Sequence, residues 1–314
     1  MAQAITPDHA RLAERRAASL ALAQDWRQSA PYRRATDMFA DCDGATAEAI
    51  ADRATLLLAD GNWASALLAP LIDALAADAW IDPPLRFSRD PLRTGAILID
   101  HPAVTITAAV LSAAALAAAP RPETIVVPGR MSVVRYERGG DATLLLWRAE
   151  RAGPDFSATH APPSRPAGAV RLVDGLVRRI DGRTHGQLID APRSDVITLT
   201  ATIRTGSAAL MREYARSDGT LVRVAALDDQ AGRTQMLAAM LRHDGRTDAA
   251  DAFEAAVDDP AHFVRWAVMR EWLALDAAAA LPRLRAMLDD PHDEIRVAAS
   301  RMIPIVEARL QCRD

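Results

Sequence analysis

The chain has 314 residues, half of them hydrophobic and a quarter charged, and its formal net charge is −4. That size fits two domains, or one large domain with an appendage, and the composition excludes a chain disordered throughout. The mildly acidic balance argues against a nucleic-acid binder working through a basic face. All 37 basic residues are arginine, so this lysine-free chain lacks the amine that P-loop NTPases, kinases and Schiff-base enzymes use.

Two cysteines, Cys42 and Cys312, stand near opposite ends of the chain. Neither a disulfide scaffold nor a clustered metal site follows, and a reducing, cytoplasmic setting is expected. The first 26 residues are too charged for a signal peptide. The uncharged stretch 102–120 is rich in alanine, which inserts weakly into lipid. It reads as a buried strand followed by a small-residue helix or loop, and no membrane partner is expected.

The first eighty residues read as helical. Thr6-Pro7-Asp8 is a start signal, with a capping hydroxyl, Pro in the first turn and an acid near the positive dipole end. A helix after Thr46 would place Ile50, Ala54, Leu57 and Leu58 on one face, ending at Gly61-Asn62. Another from Trp63 steps through Leu67, Leu71 and Leu75, with Pro70 kinking it or shifting its start.

From Asp82-Pro83-Pro84 onward the apolar residues come in short runs rich in Val, Ile and Thr. Strands are predicted at 96–99, 104–110, 124–127, 132–136, 143–147, 170–173, 176–180, 187–189, 196–203, 210–214 and 221–224. Gly139-Gly140-Asp141 and Ser217-Asp218-Gly219 read as hairpin turns. Many short strands with tight turns predict an antiparallel barrel or sandwich. Leu98-Ile99-Asp100-His101-Pro102 and Leu188-Ile189-Asp190-Ala191-Pro192, each followed by a Thr-rich strand, read as a duplicated strand–turn–strand unit or as chance similarity. The proline-rich stretch 149–169 between them reads as a solvated loop.

The last third returns to helix. Asp228-Asp229 opens it, and Thr234 precedes a helix with Met236, Leu237, Met240 and Leu241. Gly245 breaks that helix, and another runs through Ala249, Phe253 and Val257. Then Asp259-Pro260, Val264-Arg265 and Ala267 are followed 31 residues later by Asp290-Pro291, Ile295-Arg296 and Ala298-Ala299. This unit resembles the HEAT-like repeat of phycobilin-lyase-type helical proteins, over 258–310. Asp caps a helix with Pro in its first turn, an aliphatic faces inward, and Ala permits close helix approach. The resemblance implies a protein-binding or scaffolding surface, not catalysis.

In the β region, Thr184-His185-Gly186-Gln187-Leu188-Ile189, Pro192 and Asp195-Val196 resemble cupin-type domains of bacterial regulators. A metal-binding cupin has two histidines two residues apart, then Glu and a further His; His185 has no such neighbours.

The histidines His9, His101, His160, His185, His243, His262 and His292 include no pair at helical or strand metal-ligand spacing. His101, His160 and His185 form the one three-histidine set considered for metal, and it would take Fe or Mn. His262 and His292 occupy matching positions after the two Asp-Pro pairs and read as exposed first-turn residues. Cys42 lies between acids, which disfavours its thiolate, and no nucleophile elbow or dinucleotide fingerprint occurs. Arg265, Trp266, Arg270, Arg296 and Arg301 are the candidate partner-binding residues, Arg through forked bonds to carboxylates. Arg265 and Arg296 have a second reading, as partners of Asp at repeat junctions. Of Trp266 and Trp272, one is expected in the core and the other toward a neighbour or partner.

The expectation is an α+β chain: an N-terminal helical segment (1–82), a cupin-like antiparallel β barrel or sandwich (83–228) and α-α HEAT-like repeats (229–314). The function expected is non-catalytic binding of a protein or peptide, with a small-ligand site in the β domain and no resident cofactor. The alternatives are a cupin-like metal-dependent oxygenase and a ligand-sensing regulator.

Overall fold

The computed structural model describes residues 9–153, 156–227 and 229–312. Contacts divide the chain into two units. The first comprises 1–150, 164–207 and 214–219; the second comprises 151–163, 208–213 and 220–314. The Thr6-Pro7-Asp8 start signal and Asp228 lie outside the described residues.

The first unit opens with α1 (His9–Gln28), α2 (Ala30–Phe39), α3 (Ala47–Ala59) and α4 (Trp63–Ala77). The Thr46 side chain caps α3 by accepting from the Ala49 N–H, as its sequence position predicts. Pro70 lies inside α4 without ending it. Ile50, Leu57, Leu58, Leu67 and Leu71 are buried, as the four-residue stepping requires, but Leu75, the next in the α4 series, is 38% exposed near the helix end. The indole N–H of Trp26 donates to the Leu67 carbonyl at 2.8 Å, so the ring is buried with its polar edge satisfied.

The strands follow: β1 (Arg86–Arg89), β2 (Arg93–Asp100), β3 (Val104–Leu111), β4 (Thr124–Val127), β5 (Met131–Arg138), β6 (Thr143–Arg148), β7 (Arg165–Arg171), β8 (Leu176–Asp181), β9 (His185–Asp190) and β10 (Val196–Ile203). One sheet has the order β1-β2-β3-β10-β5-β8. A three-stranded sheet has the order β7-β6-β9, and β4, hydrogen-bonded in a third sheet, lies alongside β9. The set β3-β10-β5-β8 opposite β4-β9-β6-β7 is the double Greek key of a jelly roll. Leu111, Val134, Tyr136, Leu144, Ile180 and Val196 fill the space between the sheets. The helices cover the outer face of the six-stranded sheet through Leu98, Val104, Ile106, Val133, Leu199 and Ile203. The uncharged stretch forms β3 and the short α5 (Ala113–Ala118). No single helix among the described residues is long and apolar enough to cross a membrane.

Two sequence expectations fail here. Gly139-Gly140-Asp141 is not a hairpin, because β5 and β6 lie in different sheets. The turn crosses between layers, and the Gly140 carbonyl accepts from the Arg193 and Ser194 N–H groups. Gly140 has φ +62°, and a Cβ there would meet the Ser194 carbonyl oxygen at 2.4 Å. The proposed duplication also dissolves. β2 and β3 pair directly as a hairpin, whereas β9 pairs with β6 and β10 with β3 and β5. Similar residues therefore serve a hairpin in one place and a sheet-to-sheet crossing in the other.

The second unit contains β12 (Leu221–Ala226), which follows β11 (Leu210–Ala215). Its helices are α6 (Asp229–His243), α7 (Ala250–Ala256), α8 (His262–Leu275), α9 (Ala277–Ala286) and α10 (Asp293–Gln311). Thr234 lies inside α6 rather than before it. Gly245, at φ +66°, follows α6 in the left-handed conformation that suits glycine. Phe253, Val264, Val268, Trp272, Leu284 and Ile295 are among the buried residues of a separate core.

Candidate functional site

The two Asp-Pro turns of the second unit are built alike. The Asp259 carboxylate accepts from the Ala261 N–H, and Asp290 accepts from the His292 N–H, both at 2.8 Å. Arg265 donates to the carbonyls of Asp259 and Pro260 at 2.9 and 3.1 Å. Arg296 does the same to Asp290 and Pro291 at 2.8 and 3.0 Å. Each arginine thus closes its own turn from the second turn of the following helix.

Arg265 does more. Its guanidinium grips both oxygens of Asp290, at 2.9 and 2.7 Å, in a buried fork that ties the first turn to the second. Burial opposes the charge on Asp290, but the Arg265 bonds hold its carboxyl below the ordinary range.

This stacking brings His262 and His292 together. Their rings are parallel within 4°, with centroids 3.6 Å apart. They are half-buried, not exposed as their first-turn positions suggested. Burial, then the neighbouring His292, lowers the pKa of His262 and favours its neutral form. Glu294, in the first turn of α10, accepts from Ser157 Oγ at 2.5 Å and the Thr159 N–H at 3.2 Å. Burial again opposes its charge, yet these two bonds hold its carboxyl below the usual range. Its second oxygen lies 4.0 Å from His262 Nε2.

His262 and Glu294 border a cleft of about 560 Å³ within this unit, lined also by His160, Phe263, Trp266, Arg270 and Arg301. Residues 156–160, read from sequence as part of a solvated loop, form one side of it. The C-terminal part of the same stretch is β7, an edge strand, where Pro166 is tolerated.

Of the five candidate partner-binding residues, Trp266, Arg270 and Arg301 line this cleft. Arg265 is buried in the turn junction, and Arg296 is bound to Asp293 and to its own turn. Trp272 instead stacks on Phe253 with centroids 5.9 Å apart. Trp272 is thus in the core, while Trp266 is half-buried, packed against that core at the cleft wall.

The three histidines considered for metal are placed differently. His101 lies in the β2–β3 turn, where its Nδ1 accepts from the Ala103 N–H at 3.2 Å. His185 begins β9 and sits 2.9 Å from Thr184 Oγ1. His160 belongs to the second unit. Among the described residues, the group of three metal-ligating side chains with ligand atoms within 4.8 Å of one another is His262, His292 and Glu294.

No family model and no curated protein matches the chain. Solved structures with cupin domains do overlap its β region. A cupin domain from Bordetella pertussis is 13% identical over 38% of this chain and 99% of its own, with a TM-score of 0.23. A cupin 2 conserved barrel domain protein from Rhodopseudomonas palustris is 10% identical over 49% and 86%, at 0.25. A 7S globulin from Momordica charantia is 10% identical over 42% of this chain, at 0.26, and only 36% of the globulin's length is spanned. At such TM-scores these likenesses carry no argument for function, and the jelly-roll assignment stands on strand order alone.

Proposed function

We propose that the protein is a binding protein whose C-terminal helical unit receives an acidic segment of a partner polypeptide. One observation carries this reading. Arg270 and Arg301 line the cleft beside Trp266 and Phe263, and both are exposed. Neither has an ion-pair partner among the described residues. By contrast, Arg242, Arg246, Arg265, Arg283, Arg285 and Arg296 each hold a carboxylate. Two free forks beside an aromatic floor suit a ligand that offers carboxylates and an apolar side chain. The matching bonds of the two Asp-Pro turns support reading the unit as a HEAT-like array, whose repeats characteristically present concave binding faces.

The test is fluorescence anisotropy of the full chain with labelled peptides combining Asp or Glu with Leu or Phe. Binding should weaken with salt. The double variant Arg270→Ala, Arg301→Ala should lose roughly tenfold or more in affinity, since a hydrogen bond to a charged group contributes about 1.5–3 kcal/mol. Equal binding by wild type and double variant would reject the cleft as the receptor.

A further inference from the structure

The stacked imidazoles pose a problem that peptide binding does not solve. Both ring nitrogens of His292 are buried and have no hydrogen-bond partner. Leaving a buried polar group unpaired costs about 1–3 kcal/mol, and native structures rarely leave such groups so. The neighbours of His292 form no hydrogen bond to it but do supply further ligands. One nitrogen of each imidazole and one oxygen of Glu294 lie within 4.8 Å of one another.

We propose that His262, His292 and Glu294 bind a divalent first-row transition-metal ion such as Zn²⁺. Two imidazoles and one carboxylate form a ligand set suited to Zn, Fe or Mn rather than to Ca or Mg. The carboxylate is already oriented, because Ser157 Oγ and the Thr159 N–H hold one of its oxygens. Such outer bonds fix metal-ligating carboxylates. Ser157 Oγ is in turn 3.2 Å from His160 Nδ1, which extends the support by one residue. His262 and Glu294 border the cleft, so an ion held there is reached from solvent. Parallel rings aim their lone pairs side by side, so loading requires one imidazole to rotate about its side-chain bonds. That rotation would also give a His292 nitrogen the partner it lacks. The site lies outside the jelly roll, is independent of the three-histidine set from sequence, and stands whether or not the cleft binds a peptide.

The experiment uses the full chain, stripped with a chelator and titrated with Zn²⁺ by calorimetry, with Co²⁺ as a spectroscopic probe of the ligands. One ion per chain is expected, with a visible Co²⁺ band of nitrogen and oxygen ligation. His292→Ala and Glu294→Gln should each weaken binding at least tenfold, and Ser157→Ala by about tenfold, the low end of outer-ligand effects. Far-UV circular dichroism checks that the variants fold, and His292→Gln offers a conservative second variant. The double variant His101→Ala, His185→Ala should bind as wild type, as should Arg270→Ala, Arg301→Ala, which separates this proposal from the peptide reading. Absence of binding to wild type at about 100 μM Zn²⁺, a Kd implying under about 5.5 kcal/mol, would overturn it. So would unchanged affinity in His292→Ala, leaving a stacked histidine pair only.

Discussion

Asp100 shows how one side chain can hold a sheet edge. It ends β2 and takes Arg86 from β1 and Arg204 from just beyond β10. Partial burial opposes its charge, but Arg204 and Arg86 outweigh that and lower its pKa. A depressed folded-state pKa stabilises at pH values above the unfolded value, about 3.9. The contribution disappears as pH falls through the folded value. Asp100→Asn should therefore cost stability at pH 7 and flatten the acid limb below about pH 4, seen in urea melts at several pH values. The effect should not exceed about 1 kcal/mol, because the carboxylate is more than a third exposed. At this scale the sequence was only partly legible. The Asp-Pro pairs and their arginines stand out in it. The place of His262 and His292 after those pairs is legible too, but their meeting is not, because they are 30 residues apart and one position out of phase within their turns rather than strictly matched. Only the stacking of one turn on the next makes them neighbours.

The junction between α8 and α10 depends on a buried ion pair. Arg265→Ala would leave the Asp290 carboxylate buried without its fork, a change that costs about 3–5 kcal/mol. Urea denaturation should show that loss, and Arg265→Lys should recover only part of it, because ammonium cannot copy the bidentate geometry. Elements were the most legible level of the sequence. Every predicted strand has an observed counterpart, because β-branched runs between turn residues report half-buried strands directly. The strand that escaped, β1, is Arg-Phe-Ser-Arg and exposed along its whole length, so burial left no pattern to read. What failed was pairing. A tight glycine turn looks the same whether it joins hairpin partners or passes between sheets, and only the strand pairing and the Gly140 carbonyl's bonds to Arg193 and Ser194 distinguish them.

In the whole chain, the second unit is discontinuous, taking 151–163 and 208–213 as well as 220–314. Periodicity could not reveal this, since both borrowed stretches are short and the β11 pattern at 210–214 says nothing about which unit it joins. A fragment comprising 229–314 alone lacks Ser157, Thr159 and Phe156, and with them the hydrogen bonds that fix Glu294. It should melt earlier than the corresponding transition of the full chain, by about 4–8 °C per kcal/mol lost, and circular dichroism would show it. The same threading imposes an order on biosynthesis. The first unit can close once residue 219 has left the ribosome, while Ser157 must wait for Glu294. At about 5–20 residues per second the delay is roughly 4–15 s. Throughout it, Ser157 and Thr159 lack the carboxylate they will hold, and during that interval a nascent chain is most open to chaperone capture or to proteolytic nicking in this stretch.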